Sequence, residues 1–90
     1  MNHSRNLPTG SKAYAKTAVF TALTVPDSLL NDHNLKAGTW GLMHIEQGMV
    51  QFFVKDNISP LAALSAGDTF VILPEEKHHI RVSENAAFYI

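Results

Sequence analysis

The sequence contains no cysteine. This absence excludes disulfides, thiolate-bound metals and a cysteine nucleophile, so any metal site must use histidine, carboxylate or amide ligands. No apolar run approaches the ~20 residues that a membrane-spanning helix requires. Residues 1–11 also lack the apolar segment of a signal peptide. The sequence therefore predicts a cytoplasmic protein.

An excess of charge of one sign is also lacking, because the formal net charge is only -1. Such a chain has no global field to attract nucleic acid or anionic lipid. No Walker loop, no dinucleotide-binding glycine motif and no serine nucleophile elbow is present. These absences exclude most nucleotide-dependent and hydrolase functions. We expect neither nucleic acid nor a membrane as a partner.

Helical periodicity is almost absent, since only the stretch 26–32 is typical of a helical turn. Elsewhere, short segments rich in β-branched and aromatic residues alternate with turns of Gly, Pro and Asn. Residues 69–73 form the clearest buried strand, and Gly48 indicates a hairpin turn. This pattern predicts an all-β fold, a jelly roll or antiparallel β-sandwich barrel. We assign 1–12 to a flexible arm and 13–90 to the β domain.

The C-terminal run 86–90 is entirely apolar or aromatic. Such a run is typical of a central strand or of an unpaired edge strand that pairs with a second copy of the chain. On this second interpretation we predict a homodimer.

Two adjacent histidines follow the turn at 74–77, and strand parity separates them. Successive side chains of a strand point to opposite faces, so only one of the two can face the interior. His78 shares its parity with the apolar Ile80, whereas His79 shares its parity with Arg81. We therefore predict that His78 points inward and His79 outward. The same argument makes His44, in an earlier strand, a packed or interface histidine.

His33 stands in a polar loop and is the second candidate ligand. Two histidines from separate segments, without a nearby thiolate, suit Zn, Ni, Fe(II) or Mn, with water or a carboxylate completing the coordination. His33 and His78 are thus candidate metal ligands, and neither a third ligand nor a catalytic residue is identified. Trp40, which lies between Gly38 and Gly41, is either a wall of the ligand pocket or a core residue.

The run 32–41, reading Asp-His-Asn-Leu-Lys-Ala-Gly-Thr-Trp-Gly, is followed by a looser set of spaced residues, namely Gly48, Gly67, Pro74 and His78. This pattern resembles the small cupin-like domain of the TehB/YeaR type, which occurs alone or in front of a methyltransferase in tellurite-resistance proteins. The resemblance extends from about residue 14 to residue 90. It implies a jelly roll with a pocket between its sheets, and it assigns His33 and His78 to that pocket.

The resemblance implies a small-molecule or metal-binding domain with an accessory role in the tellurite or oxyanion stress response. A methyltransferase activity is not predicted, because the glycine-rich nucleotide motif is absent. The usual cupin ligands would fall near Leu35, Ala37 and Gly41, none of which can bind a metal. A pocket for an oxyanion and a pocket for a metal are therefore both open. The alternative function is a metal-dependent cupin enzyme that acts on a small polar substrate.

Overall fold

The computed structural model describes residues 16–55 and 57–90. This part of the chain contains one short helix and seven strands. The predicted arm at 1–12 lies outside the described residues. The elements are β1 (Phe20–Thr21), α1 (Asp27–Leu30), β2 (Gly41–Gln47), β3 (Met49–Val54), β4 (Ala62–Ser65), β5 (Thr69–Ile72), β6 (His78–Val82) and β7 (Ala87–Tyr89).

The strands form two antiparallel sheets. The four-stranded sheet has the order β1-β7-β2-β5, and the three-stranded sheet has the order β4-β3-β6. The prediction of an all-β fold is therefore confirmed. Barrel closure is not found, because no ladder joins an edge of one sheet to an edge of the other within the described part of the chain. The architecture is that of an open sandwich.

Gly48 turns the chain as predicted, with a φ of 72°. The predicted hairpin is nevertheless wrong, because β2 pairs with β5 and β7 whereas β3 pairs with β4 and β6. The turn carries the chain from one sheet to the other. A Cβ atom at Gly48 would lie 2.6 Å from Ser83 Oγ and 2.7 Å from Ala86 Cα. Both the positive φ and this close approach require glycine.

The core lies between the two sheets and is continuous. Alternate residues of β2 and β3 point into it, as their sequence alternation predicts. Its most buried large side chains are Phe52, Phe88, Met43, Leu64, Ile72, Ile80, His78 and Val50. His78 is the one polar residue among the fully buried residues of the described chain.

The apolar C-terminal run forms β7, which pairs with β1 on one side and β2 on the other. It is an interior strand of the four-stranded sheet, so the edge-strand argument for a homodimer is wrong. The homodimer itself stays a prediction. The helix α1 is four residues long. In the described part of the chain, no helix is long and apolar enough to cross a membrane. The cytoplasmic location also stays a prediction.

Candidate functional site

His33 and His78 meet at the start of β6. The His33 N–H donates to the His78 carbonyl at 2.9 Å, and the His78 N–H donates to the His33 carbonyl at 2.8 Å. The two residues thus form an isolated antiparallel bridge. Their rings lie edge to face, with centroids 4.2 Å apart and planes inclined at 64°. The structure therefore brings together the two histidines that the sequence proposes as partners.

Backbone contacts hold the two segments on which these histidines lie. Leu35 forms a bridge with Pro74, and its carbonyl accepts a hydrogen bond of 2.7 Å from the Glu75 N–H. Glu75 has a φ of 61°, which lies in the left-handed region, so the chain turns sharply there before entering β6. The loop after α1 and the turn before β6 are therefore joined at two places.

The His78 side chain is 1% exposed, which confirms the predicted inward orientation. Its ring stacks on Phe52 with a centroid separation of 4.9 Å. The His78 Nδ1–H donates to the Glu76 carbonyl at 2.8 Å. A carbonyl oxygen only accepts hydrogen bonds, so Nδ1 must carry the proton. In the neutral ring, Nε2 is then the nitrogen with the lone pair.

His33 repeats this arrangement in a half-buried position. Its Nδ1–H donates to the Asn31 carbonyl at 3.1 Å. Each ring is thus oriented by the carbonyl of the residue two positions earlier in the chain, and each has Nε2 as its lone-pair nitrogen when neutral. Sequence reasoning missed these orienting groups, because they are backbone atoms that any residue type at positions 31 and 76 would supply.

A metal ion held by protein ligands alone fits these residues poorly. Within 16–55 and 57–90, no group of three or more His, Asp or Glu side chains lies close enough together to hold one. Zinc sites use three or four protein ligands. Metal binding by His33 and His78 stays a proposal that requires further ligands from solvent or from outside these residues.

Trp40 is half-buried and directly precedes β2. Its assignment to the wall of the pocket stays a prediction. His44 stacks on Tyr89 with a centroid separation of 4.5 Å and an interplanar angle of 12°. This contact confirms the interpretation of His44 as a packed histidine. Its ring belongs to the four-stranded sheet, whereas His78 lies in the other sheet.

An open groove of about 440 Å³ lies on one side of β6, between that strand and the end of α1. Neither His33 nor His78 lines it. His79 faces this side, and its Nδ1 lies 2.9 Å from Asp32 Oδ1. The predicted outward orientation of His79 is thus confirmed, although sequence reasoning did not identify Asp32 as its partner.

Comparison with known proteins places the chain in a family. The model of the TehB-like domain matches residues 15–90. The chain belongs to the TehB-like family. A search of curated protein sequences gave no match.

Two crystal structures have the same fold as this TehB-like chain. A protein from Escherichia coli strain K12 has a TM-score of 0.78 and 20% sequence identity, and the alignment covers 94% of this chain and 91% of that protein. TehB from Haemophilus influenzae has a TM-score of 0.74 and 22% identity, with 84% of this chain covered. The chain spans 28% of the length of that TehB structure.

Proposed function

We propose that this TehB-like chain is a ligand-binding domain with an accessory role in the response to tellurite or a related oxyanion. The family match relates the chain to tellurite-resistance proteins. The observation that carries the proposal is the backbone bridge that brings the His33 and His78 rings to a centroid distance of 4.2 Å.

The tautomer of the His33 ring indicates which ligands this ring would accept. With Nδ1 donating to a carbonyl, a neutral ring offers the Nε2 lone pair. Such nitrogens accept a hydrogen bond from an O–H group or coordinate a metal ion. A hydrogen-bearing oxyanion supplies the O–H group. His33 is half-buried, whereas His78 is buried, so a ligand would approach from the His33 side, with Trp40 as a proposed wall.

Titration with sodium tellurite, and separately with zinc chloride, tests this proposal by calorimetry. We expect His33→Gln to weaken binding of the effective probe about tenfold, because one hydrogen bond or ligand bond to a charged species is lost. His44→Gln is the matched control, since His44 is also half-buried and ring-stacked. It should bind as the wild type does.

The double variant His33→Ala/His78→Ala should bind neither probe, and circular dichroism must show that it is folded. Wild-type affinity in His33→Gln would remove this histidine from the site. No observation in the described residues favours the alternative of a metal-dependent enzyme, because a third protein ligand is not found there.

A further inference from the structure

The groove between β6 and the end of α1 has features of a second binding site. Its volume of about 440 Å³ is within the range of small-molecule sites. We propose that it binds a small 2-hydroxy carboxylate. This inference does not depend on the proposed function of the His33–His78 pair, because neither His33 nor His78 lines the groove. The groove is lined by Leu30, Asn31, Asp32, His79, Ile80 and Arg81.

Arg81 supplies the positive charge for the carboxylate. The side chain is exposed, and its guanidinium carbon lies 5.7 Å from the centroid of the Phe53 ring. A cation–π contact of this kind does not use the N–H donors of the guanidinium. No carboxylate within the described residues forms an ion pair with Arg81. The planar fork of N–H donors matches a carboxylate in a bidentate arrangement.

Ile80 adds backbone groups to the same groove. Both backbone groups of His78 point away from β3, because both bond to His33. Strand geometry repeats every second residue, so the N–H and carbonyl of Ile80 also point away from β3. Its side chain is 2% exposed and belongs to the core, so Ile80 lines the groove with its backbone. This N–H is a second donor for an oxyanion beside Arg81.

His79 provides an acceptor with a fixed orientation. Its ring is stacked on Phe53 at a centroid distance of 4.8 Å and an interplanar angle of 2°. Its Nδ1 lies 2.9 Å from the Asp32 carboxylate, which accepts the Nδ1–H. Nε2 is therefore the acceptor of the neutral ring. Because both the stack on Phe53 and the hydrogen bond to Asp32 hold the ring, this acceptor is positioned before a ligand arrives.

The charged side chains of the groove restrict the net charge of the ligand. Asp32 carries a negative charge and Arg81 a positive charge, and the Asp32 carboxylate accepts the His79 Nδ1–H. A simple dianion would be repelled by Asp32, whereas a monoanion with a neutral donor group fits both ends. The carboxylate would face Arg81 and the Ile80 N–H, the hydroxyl would donate to His79, and Leu30 would contact the alkyl part. Leu30 is 39% exposed, so an apolar surface is available.

Amide NMR titration of the whole chain tests the proposal with three probes, namely 2-hydroxyisobutyrate, isobutyrate and inorganic phosphate. We expect 2-hydroxyisobutyrate to shift the amide signals of Ile80 and Arg81 in a saturable way. Isobutyrate should bind about tenfold more weakly, because it lacks the hydrogen bond to His79. Phosphate should bind more weakly still, because of its additional charge.

Two variants test the roles of the side chains. Arg81→Gln should weaken 2-hydroxyisobutyrate binding about tenfold or more, whereas Lys55→Gln, which removes one exposed positive charge outside the groove, should leave it unchanged. His79→Phe keeps a ring for the stack on Phe53 but removes both ring nitrogens. It should reduce the affinity for 2-hydroxyisobutyrate to that for isobutyrate and leave isobutyrate unchanged.

Three results would overturn the inference. They are the absence of a saturable shift at Ile80 with 2-hydroxyisobutyrate, equal binding by the Arg81→Gln and wild-type proteins, and phosphate binding at least as tight as that of the hydroxy acid. Dispersion of the amide spectrum shows in the same experiment whether each variant is folded. His33→Gln should bind 2-hydroxyisobutyrate normally, which separates this site from the His33–His78 pair.

Discussion

His78 and His79 are neighbours in one strand, yet they lie in opposite environments. His78 is 1% exposed and is held by a backbone carbonyl and the Phe52 ring. The His79 side chain is 24% exposed and is held by a carboxylate and the Phe53 ring. Because adjacent residues of a strand face opposite sides, two identical residues lie in a packed interior and in a solvated, charged groove. The interior side of β6 should therefore depend on packing, and the outer side on screened electrostatics.

The largest difference is expected between the two phenylalanines that support these histidines. Phe52→Ala should lower the free energy of unfolding by about 3–5 kcal/mol, because it removes buried surface and leaves a cavity between the sheets. Phe53→Ala should cost only about 1.5–3 kcal/mol, because Phe53, although 7% exposed, lies outside the cluster of core residues between the sheets. Urea denaturation measures both values. Equal losses would show that the outer face is packed as tightly as the core.

The two histidines themselves provide the second test. His78→Ala should lower the free energy of unfolding by about 2–4 kcal/mol, because the Phe52 contact is lost and the Glu76 carbonyl loses its donor. His79→Ala should cost about 1 kcal/mol or less, as is usual for a solvent-accessible ion pair. Thermal and urea unfolding of the two variants under identical conditions make the comparison. A larger loss for His79 would reverse the assignment of the two sides.

The smallest effect is expected for Asp32→Ala, which removes the carboxylate partner of His79. The Asp32 side chain is 45% exposed in the wild-type protein. The loss of unfolding free energy in the variant should therefore be about 0–1 kcal/mol. The loss should shrink further in high salt, because salt screens exposed charges. A double-mutant cycle with His79→Ala isolates the pairwise energy. A salt-independent coupling would show that this ion pair is shielded from solvent.

The orientation of side chains along β6 could be predicted from the sequence residue by residue. The alternation at 78–82 gave the inward orientation of His78 and the outward orientation of His79. The TehB-like resemblance was confirmed by the family match over residues 15–90. These features are local, because a strand alternates with a period of two residues and a motif is read along one stretch of chain.

Pairing between strands could not be predicted in the same way. Gly48 has the positive φ of a tight turn in either a hairpin or a crossing between sheets, so the local signal does not distinguish them. The apolar run at 86–90 fits an interior strand as well as an edge strand, and its neighbours decide between the two. The partner of His79 was missed for the same reason, since Asp32 approaches it from a distant part of the sequence.

The sequence by itself determined that the chain is all-β, that it lacks thiolate chemistry and that His78 faces inward, because composition and strand periodicity are properties of neighbouring residues. Only the tertiary structure decided that β2 and β3 belong to different sheets, that His33 exchanges two backbone hydrogen bonds with His78, and that Asp32, His79 and Arg81 share one groove. Those features depend on long-range backbone pairing, which joins segments through atoms that are the same in every residue.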